Sequence, residues 1–221
     1  MQHKWVIGFM DEVWWSRFAL PGLAVWSERT RPGRIVEQSR ARADADAQAL
    51  ACYGLWWAQA DQMLLRFVTG RPVSQVTTAF LDWACNELVR QGQRVWVLIG
   101  DNASWHVSAE VRRWIAEHNA TAKRTGQGMR ILVAGLPVKS PWLNKIEPKW
   151  QHGKRAIVEM DGTLSAAELE ERVCAYFRAA RQPRLVQQLP PEEVAKACRG
   201  RSKPSPSVQR PAQEAQTQQA A

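Results

Sequence analysis

Three observations predict an α/β fold built on a sheet of mixed strand direction. Strand-length apolar runs crowd the first 70 residues, a helix-spaced stretch follows over residues 74–90, and a dense apolar run returns over residues 94–99. A strand–helix–strand order that follows a strand meander is the signature of such a sheet.

The first strand is read over residues 4–10, where Trp5, Val6, Ile7 and Phe9 form an apolar run too short for a helix, ended by Asp11 and Glu12. Residues 13–19 continue the apolar character, Pro21-Gly22 supplies a turn, and residues 23–26 form the next strand of the meander. Residues 28–48 are polar and charged and read as an exposed loop with a short strand near Ile35. The runs ACYGLWWA and DQMLLRFVTG are two further strands.

Over residues 74–90, Val76, Phe80, Trp83, Ala84 and Leu88 recur at helical spacing, and Gly92 ends the helix. Val111, Trp114 and Ile115 mark a helix over residues 107–118, followed by a basic loop, TAKRTGQG, and a strand over residues 129–134. LPVKSPW is a proline-bounded loop leading to a helix over residues 144–159. Ser165 with Glu168 three positions on is a capping-box pattern for a last helix carrying Leu169, Val173 and Phe177. These elements assign residues 1–180 to one catalytic-sized domain. Residues 181–221, rich in Pro, Gln, Ser, Arg and Ala, read as a basic tail, largely disordered, with one short helix over residues 191–197.

The chain has 221 residues, enough for one domain with a real core. Its net charge of +9, from 30 Lys and Arg against 21 Asp and Glu, favours a polyanionic partner. Four scattered cysteines, 52, 85, 174 and 198, form no CxxC and no paired spacing, which argues against a disulfide framework and for reduced cytoplasmic thiols. Every apolar run is far shorter than the roughly 20 residues a membrane span needs. Of the 12 tryptophans, Trp5, Trp14, Trp26, Trp83, Trp96 and Trp114 fall in periodic apolar segments and read mostly as core. Trp142 and Trp105, in loops, are better placed to touch unpaired bases.

Three acids stand where a strand or helix would hold a carboxylate rigidly: Asp11 in VIGFMDE, Asp101 in VWVLIGDNASWH and Glu147 in SPWLNKIEPKW. If their strands are adjacent and parallel, Asp11 and Asp101 open on one sheet edge, and Glu147 closes the site from a helix start. Hard divalent cations take oxygen ligands, so three converging carboxylates fit a two-metal site for phosphoryl chemistry. Each acid also has a purely structural reading. Asp11 and Glu12 would end a strand at a solvated turn, Asp101 would form an Asx-turn or cap, and Glu147 would complete a capping box with Asn144.

These segments resemble the mariner-like insertion-sequence transposases of the DDE superfamily. Asp11 and Glu12 match that family's DE pair; Asp101, Asn102 and His106 match its DNxxxH segment. Leu136, Pro137, Ser140, Pro141, Leu143, Asn144, Ile146, Glu147 and Trp150 match its LPxYSPxLNPIExxW segment. Lys139 and Lys145 replace the usual Tyr and Pro, and Pro148 follows the acid directly, a placement that shifts the helix start by about a turn.

The resemblance covers about residues 4–178 and implies a ribonuclease-H-like mixed sheet flanked by helices. It implies Asp11, Asp101 and Glu147 as the catalytic and metal-binding triad, with Mg2+ as cofactor and Mn2+ as substitute. The expected activity is metal-dependent DNA cleavage and strand transfer at insertion-sequence ends. The expected partner is double-stranded DNA carrying transposon terminal repeats. Expected DNA contacts are Asn102, His106, Lys123, Arg124, Lys139, Trp142, Lys145, Lys149 and Lys154, the last two on the polar face of a helix that buries Ile146, Trp150 and Ile157. Relatives usually carry a helix-turn-helix region before this core, so a separately encoded N-terminal DNA-binding partner is a further expectation. So are a homodimer joining two element ends and a cytoplasmic, nucleoid-associated location in a bacterium. The alternatives are an inactive DNA-binding or dimerising remnant, and a non-transposing nuclease of the same fold.

Overall fold

The computed structural model describes residues 4–18, 24–25, 33–34, 43–101, 103, 106, 108–137, 140–157 and 164–187. Residues through Gln187 form one compact unit. Of the tail read over residues 181–221, residues 181–187 are described and include the strand Leu185–Val186, while residues 188–221, with the short helix and Cys198, lie outside the described residues.

Strand β1 (Trp5–Ser16) is paired on one side with β4 (Ala49–Trp57) and on the other with β6 (Val95–Gly100). β5 (Gln62–Thr69), β7 (Arg130–Gly135) and the two-residue β8 (Leu185–Val186) complete a six-stranded sheet of order β7-β6-β1-β4-β5-β8. β1, β4 and β5 form an antiparallel meander, whereas β6 and β7 run parallel to β1, as the early hairpins and later helical crossovers require. β2 (Ala24–Val25) and β3 (Gly33–Arg34) pair separately as a two-stranded ribbon.

Two corrections to the sequence reading bear on the site. β1 does not stop at Asp11: it runs unbroken for 12 residues, and the segment over residues 13–16 belongs to it. The reason lies in its pairing, because β4 stays in register with β1 from Gly8 to Ser16 while β6 leaves at Met10. Helix α2 (Ala109–Thr125) also continues through the segment expected as a basic loop. Ala122 packs inward, and Asn119 is an anchor rather than a breaker: its carboxamide donates to Ile131 O and accepts from Ile131 N, both at 2.8 Å. Lys123 and Arg124 fall in the last turn, where cations complement the helix dipole, before Gly126 closes the helix at φ 66°.

The sheet is covered on both faces. α1 (Ser74–Arg90) and α2 pack over a core containing Val6, Met10, Leu55, Phe80, Leu88 and Trp96. α3 (Glu147–Ile157) and α4 (Ala166–Tyr176) cover the opposite face with Phe9, Val13, Trp15, Ile146, Trp150 and Val173. Alternate residues of β1 thus serve different cores. Two of the tryptophan readings are corrected: Trp5, at the start of β1, and Trp14, on the face opposite Trp15, are 42% and 46% exposed, while Trp15, on the α3 side, is buried.

The Ser165–Glu168 capping box of α4 is formed. α3 begins three residues later than expected, at Glu147, which places Pro148 in the first turn where its missing N–H costs nothing. Beyond α4, the buried Glu170 accepts from Arg184 Nε and Nη2 at 3.0 and 2.9 Å, pinning the segment that supplies β8. Among the described residues no helix is long and apolar enough to cross a membrane, and Cys52, Cys85 and Cys174 are free thiols.

Candidate active site

The pairing of β1 with β6 ends at Met10 and Gly100, so Asp11 and Asp101 are the next residues on two neighbouring parallel strands. Asp11 remains paired to β4 opposite Gly54, which makes it a mid-strand carboxylate standing at the step where its parallel neighbour turns away. It is only 5% exposed.

Its carboxylate lies on the α3 side, where Trp150 Nε1 donates to Oδ2 at 3.2 Å. The indole reaches it because β4 carries a glycine there: a Cβ on Gly54 would stand 2.3 Å from Trp150 Cη2. A glycine inside a strand is a sign of close approach, and here it admits the ring that orients Asp11. Trp15 and Phe177 pack edge-on against the same indole, at 6.1 and 5.4 Å between ring centres.

Glu147 opens α3, its backbone N–H donating to Asn144 O at 3.0 Å. The capping-box reading of this acid is not realised, because among the described residues the buried Asn144 carboxamide has no hydrogen-bond partner. Glu147 nonetheless acts on Asp11 through its charge. Burial, followed by the charges of Glu147, Glu12 and Asp101, pushes the Asp11 carboxyl up to about 8, against a weaker opposing effect of His106.

His106 ties two of these acids together. Its Nδ1 hydrogen-bonds Asp101 Oδ1 at 2.8 Å, and its Nε2 lies 2.8 Å from Glu12 Oε2. The second approach pairs the ring with a second carboxylate. Burial alone would lower the imidazole's proton affinity, but hydrogen bonding to Asp101 and to Glu12, with the charges of both carboxylates, outweighs it and raises the pKa to about 9. The His106 bond, opposed by partial burial and helped by the Ala103 N–H, holds Asp101 below the usual carboxylate range. Asp101 Oδ1 accepts from Ala103 N at 3.0 Å, so the Asx-turn is present as well.

Among the described residues no three His, Cys, Asp or Glu side chains are gathered closely enough to hold one ion. The donor chemistry still suits hard divalent cations. Asp11 is a buried carboxyl ringed by three others, an arrangement in which ionisation calls for a nearby positive charge.

The expected DNA contacts divide into groups. Asn102, Lys139 and also Trp105 lie outside the described residues. His106 is buried and clamped between carboxylates, which suits shaping the site rather than meeting a ligand. Trp142 is 72% exposed on the single turn Pro141–Leu143, and Lys145 is exposed two residues before Glu147. α3 does bury Ile146, Trp150 and Ile157, yet Lys149 is engaged with Asp61 at 2.6 Å rather than free, and Lys154 is half-buried in the last turn. Lys123 and Arg124 are remote from the acids: α2 starts near Asp101 and carries them roughly 20 Å along its axis, toward the end of the sheet where Arg130 pairs with Val95.

A mixed sheet in this strand order, with acids at the β1/β6 step and a third at a helix start, defines a ribonuclease-H-like domain with an acidic centre. Residues 8–169 match the DDE superfamily endonuclease family, and the chain belongs to it. Comparison with curated protein sequences gives no match. Among solved structures the chain is similar to the Mos1 transposase paired-end complex with left transposon end, at 14% identity and a TM-score of 0.54, over 81% of this chain and 49% of that one. The Mos1 strand transfer complex is similar at 15% identity and a TM-score of 0.54, over 81% and 48%. The Mos1 mariner paired end complex with Mn follows at 16% identity and 0.50, over 80% and 48%. The likeness is one of fold, and the chain spans about half the length of those proteins.

Proposed function

We propose that this chain is the catalytic domain of a transposase, cutting DNA at the ends of a mobile element and joining the freed ends to a target. The observation that carries the reading is the placement of Asp11 and Asp101 one residue past the Met10–Gly100 pair, with Glu147 close enough to act on Asp11. Membership of the endonuclease family and the likeness to transposase structures support it.

Asp11, Asp101 and Glu147 are the groups that would hold divalent cations, Mg2+ or Mn2+. When bound, such ions supply Lewis-acid stabilisation of the attacking and leaving oxygens of an in-line displacement. The chain's own residues prepare that chemistry. Trp150 fixes one oxygen of Asp11, and His106, braced by Glu12, fixes Asp101. Lys145 and Trp142, exposed on the approach to Glu147, are placed to meet the DNA backbone and bases, and the +9 charge draws the polyanion in.

In the first reaction a water oxygen bonds to the scissile phosphorus and the P–O3′ bond breaks, leaving a 5′-phosphate and a free 3′-hydroxyl. In the second, that 3′-oxygen loses its proton and bonds to a target phosphorus, while the displaced target 3′-oxygen takes up a proton. The test is cleavage of terminal-repeat duplex with Mg2+ or Mn2+, with and without a supplied end-binding domain. Wild type should cut and Asp101→Asn and Glu147→Gln should lose on the order of 100-fold or more in rate. Equal rates in all three would defeat the proposal.

A further inference from the structure

Beside the acidic centre lies an open cleft of about 670 Å3, between the β4–β5 turn, the start of α3 and the end of α4. Its walls combine aromatic faces, Trp56, Tyr176 and Phe177, with the cations Lys145, Lys149 and Arg178. Tyr176 is 43% exposed and stands edge-on to Phe177 at 4.8 Å. Phe177 in turn packs on Trp150, whose indole holds Asp11, so buried ring contacts link the cleft wall to the candidate active site.

Two features set this cleft apart from an ordinary surface hollow. Among the described residues, the two non-glycine residues with positive φ, Asp61 at 47° and Arg178 at 51°, both line it. Arg178 occupies the place after α4 where glycine is favoured, so the chain accepts an unfavourable backbone geometry to put a guanidinium there. Lys149, meanwhile, lies 4.5 Å over the Trp56 ring and is held by Asp61, which also accepts from Trp56 Nε1 at 2.9 Å. Lys145 and Arg178 are the other cations of the lining, Arg178 near enough to Asp61 for its charge to lower that carboxyl.

We propose that this cleft receives one unpaired nucleotide of the DNA, its base against Tyr176 and Phe177 and its phosphate between Lys145 and Arg178. The inference rests on the transposase reading and names what the neighbouring surface takes. Stacking faces interleaved with cations are the chemistry of single-strand recognition. A volume of about 670 Å3 lies within the range of sites that take a small molecule, the scale of one nucleotide.

The test is fluorescence anisotropy of the full chain in EDTA with a labelled oligodeoxythymidine and, in parallel, a blunt duplex of equal length. The variants are Arg178→Gly, which removes the cation and relieves the backbone so that folding is at least as favourable, and Tyr176→Ala. Each should weaken single-strand affinity roughly tenfold and change duplex affinity by less than about twofold. Wild type without single-strand affinity, variants that bind like wild type, or single-strand and duplex affinities falling together would each overturn the proposal. So would displacement of the oligonucleotide by an equal concentration of polyglutamate, which would mark an acidic-peptide site. Because metal is absent, a protein inert in cleavage yet single-strand selective defeats the transposase proposal alone. One that cuts but lacks this selectivity defeats the cleft alone.

Discussion

Replacing Asp11 by Asn should change how the metal-free protein responds to pH. In the fold this carboxyl is pushed up to about 8, whereas in an unfolded chain it titrates near its ordinary value of about 3.9. Between those values the folded state holds a proton that the unfolded state has released, so stability falls as pH rises, by about 1.4 kcal/mol per unit. The full window of about four units sets a ceiling on the order of 5 kcal/mol for this one group. His106 acts in the same direction but later: raised to about 9, it contributes stability that is complete below its unfolded value of about 6.5 and is lost as pH climbs through 9. Asp101, held low, contributes stability above its unfolded value and loses it only in acid. The interval from about pH 4.5 to 6.5 therefore isolates Asp11. Urea unfolding followed by tryptophan fluorescence in EDTA should show wild type losing about 3 kcal/mol across that interval relative to Asp11→Asn. Parallel curves for the two proteins would refute the burial and charge argument.

Other substitutions probe the surroundings of the acids. Gly54→Ala drives a Cβ into Trp150, 2.3 Å from Cη2, and should cost about 1–3 kcal/mol in urea unfolding while raising Asp11's proton affinity as the indole is displaced. Asn144→Leu replaces a buried carboxamide that finds no hydrogen-bond partner among the described residues with an apolar group of similar size, and should stabilise the fold by about 1 kcal/mol or more in the same assay. Ser165→Ala removes the side-chain half of the α4 capping box, the hydroxyl that accepts from Glu168 N, and should lower stability by about 1 kcal/mol, with no change in metal affinity.

Local patterns in the chain made much of this fold legible. The 3.6-residue spacing of Val76, Phe80, Ala84 and Leu88 marks α1 in full, and the Ser165–Glu168 pair marks the start of α4. What escaped was set by partners distant in sequence. β1 continues past Asp11 only because β4 supplies pairing as far as Ser16, and α2 outruns its apolar stripe because Asn119 finds Ile131 across the fold. Trp14 and Trp15 look alike in sequence, and what separates them is the face each takes on β1: Trp15 packs into the core under α3 and α4, whereas Trp14, on the opposite face, is left exposed.

The same division holds at the site. Asp101 and Glu147 stand where the sequence ends an apolar strand and a rigid loop, whereas Asp11, read as a strand end, lies inside β1, and Gly54 carried a usable signal as a lone glycine within a strand. The Glu12–His106–Asp101 bracing could not be read, since no spacing places residues 12 and 106 side by side. Arg178 was equally hidden, because its position in the left-handed region depends on how α4 ends.

The most direct test of the central claim is calorimetric titration of the folded protein with Mn2+ beside Asp101→Asn. Saturable binding by wild type, with release of protons from Asp11 that grows as pH falls from 8 toward 6, and loss of binding in the variant, is the expected result. Equal binding by both proteins, or none by wild type even with terminal-repeat DNA present, would contradict an assembled carboxylate site.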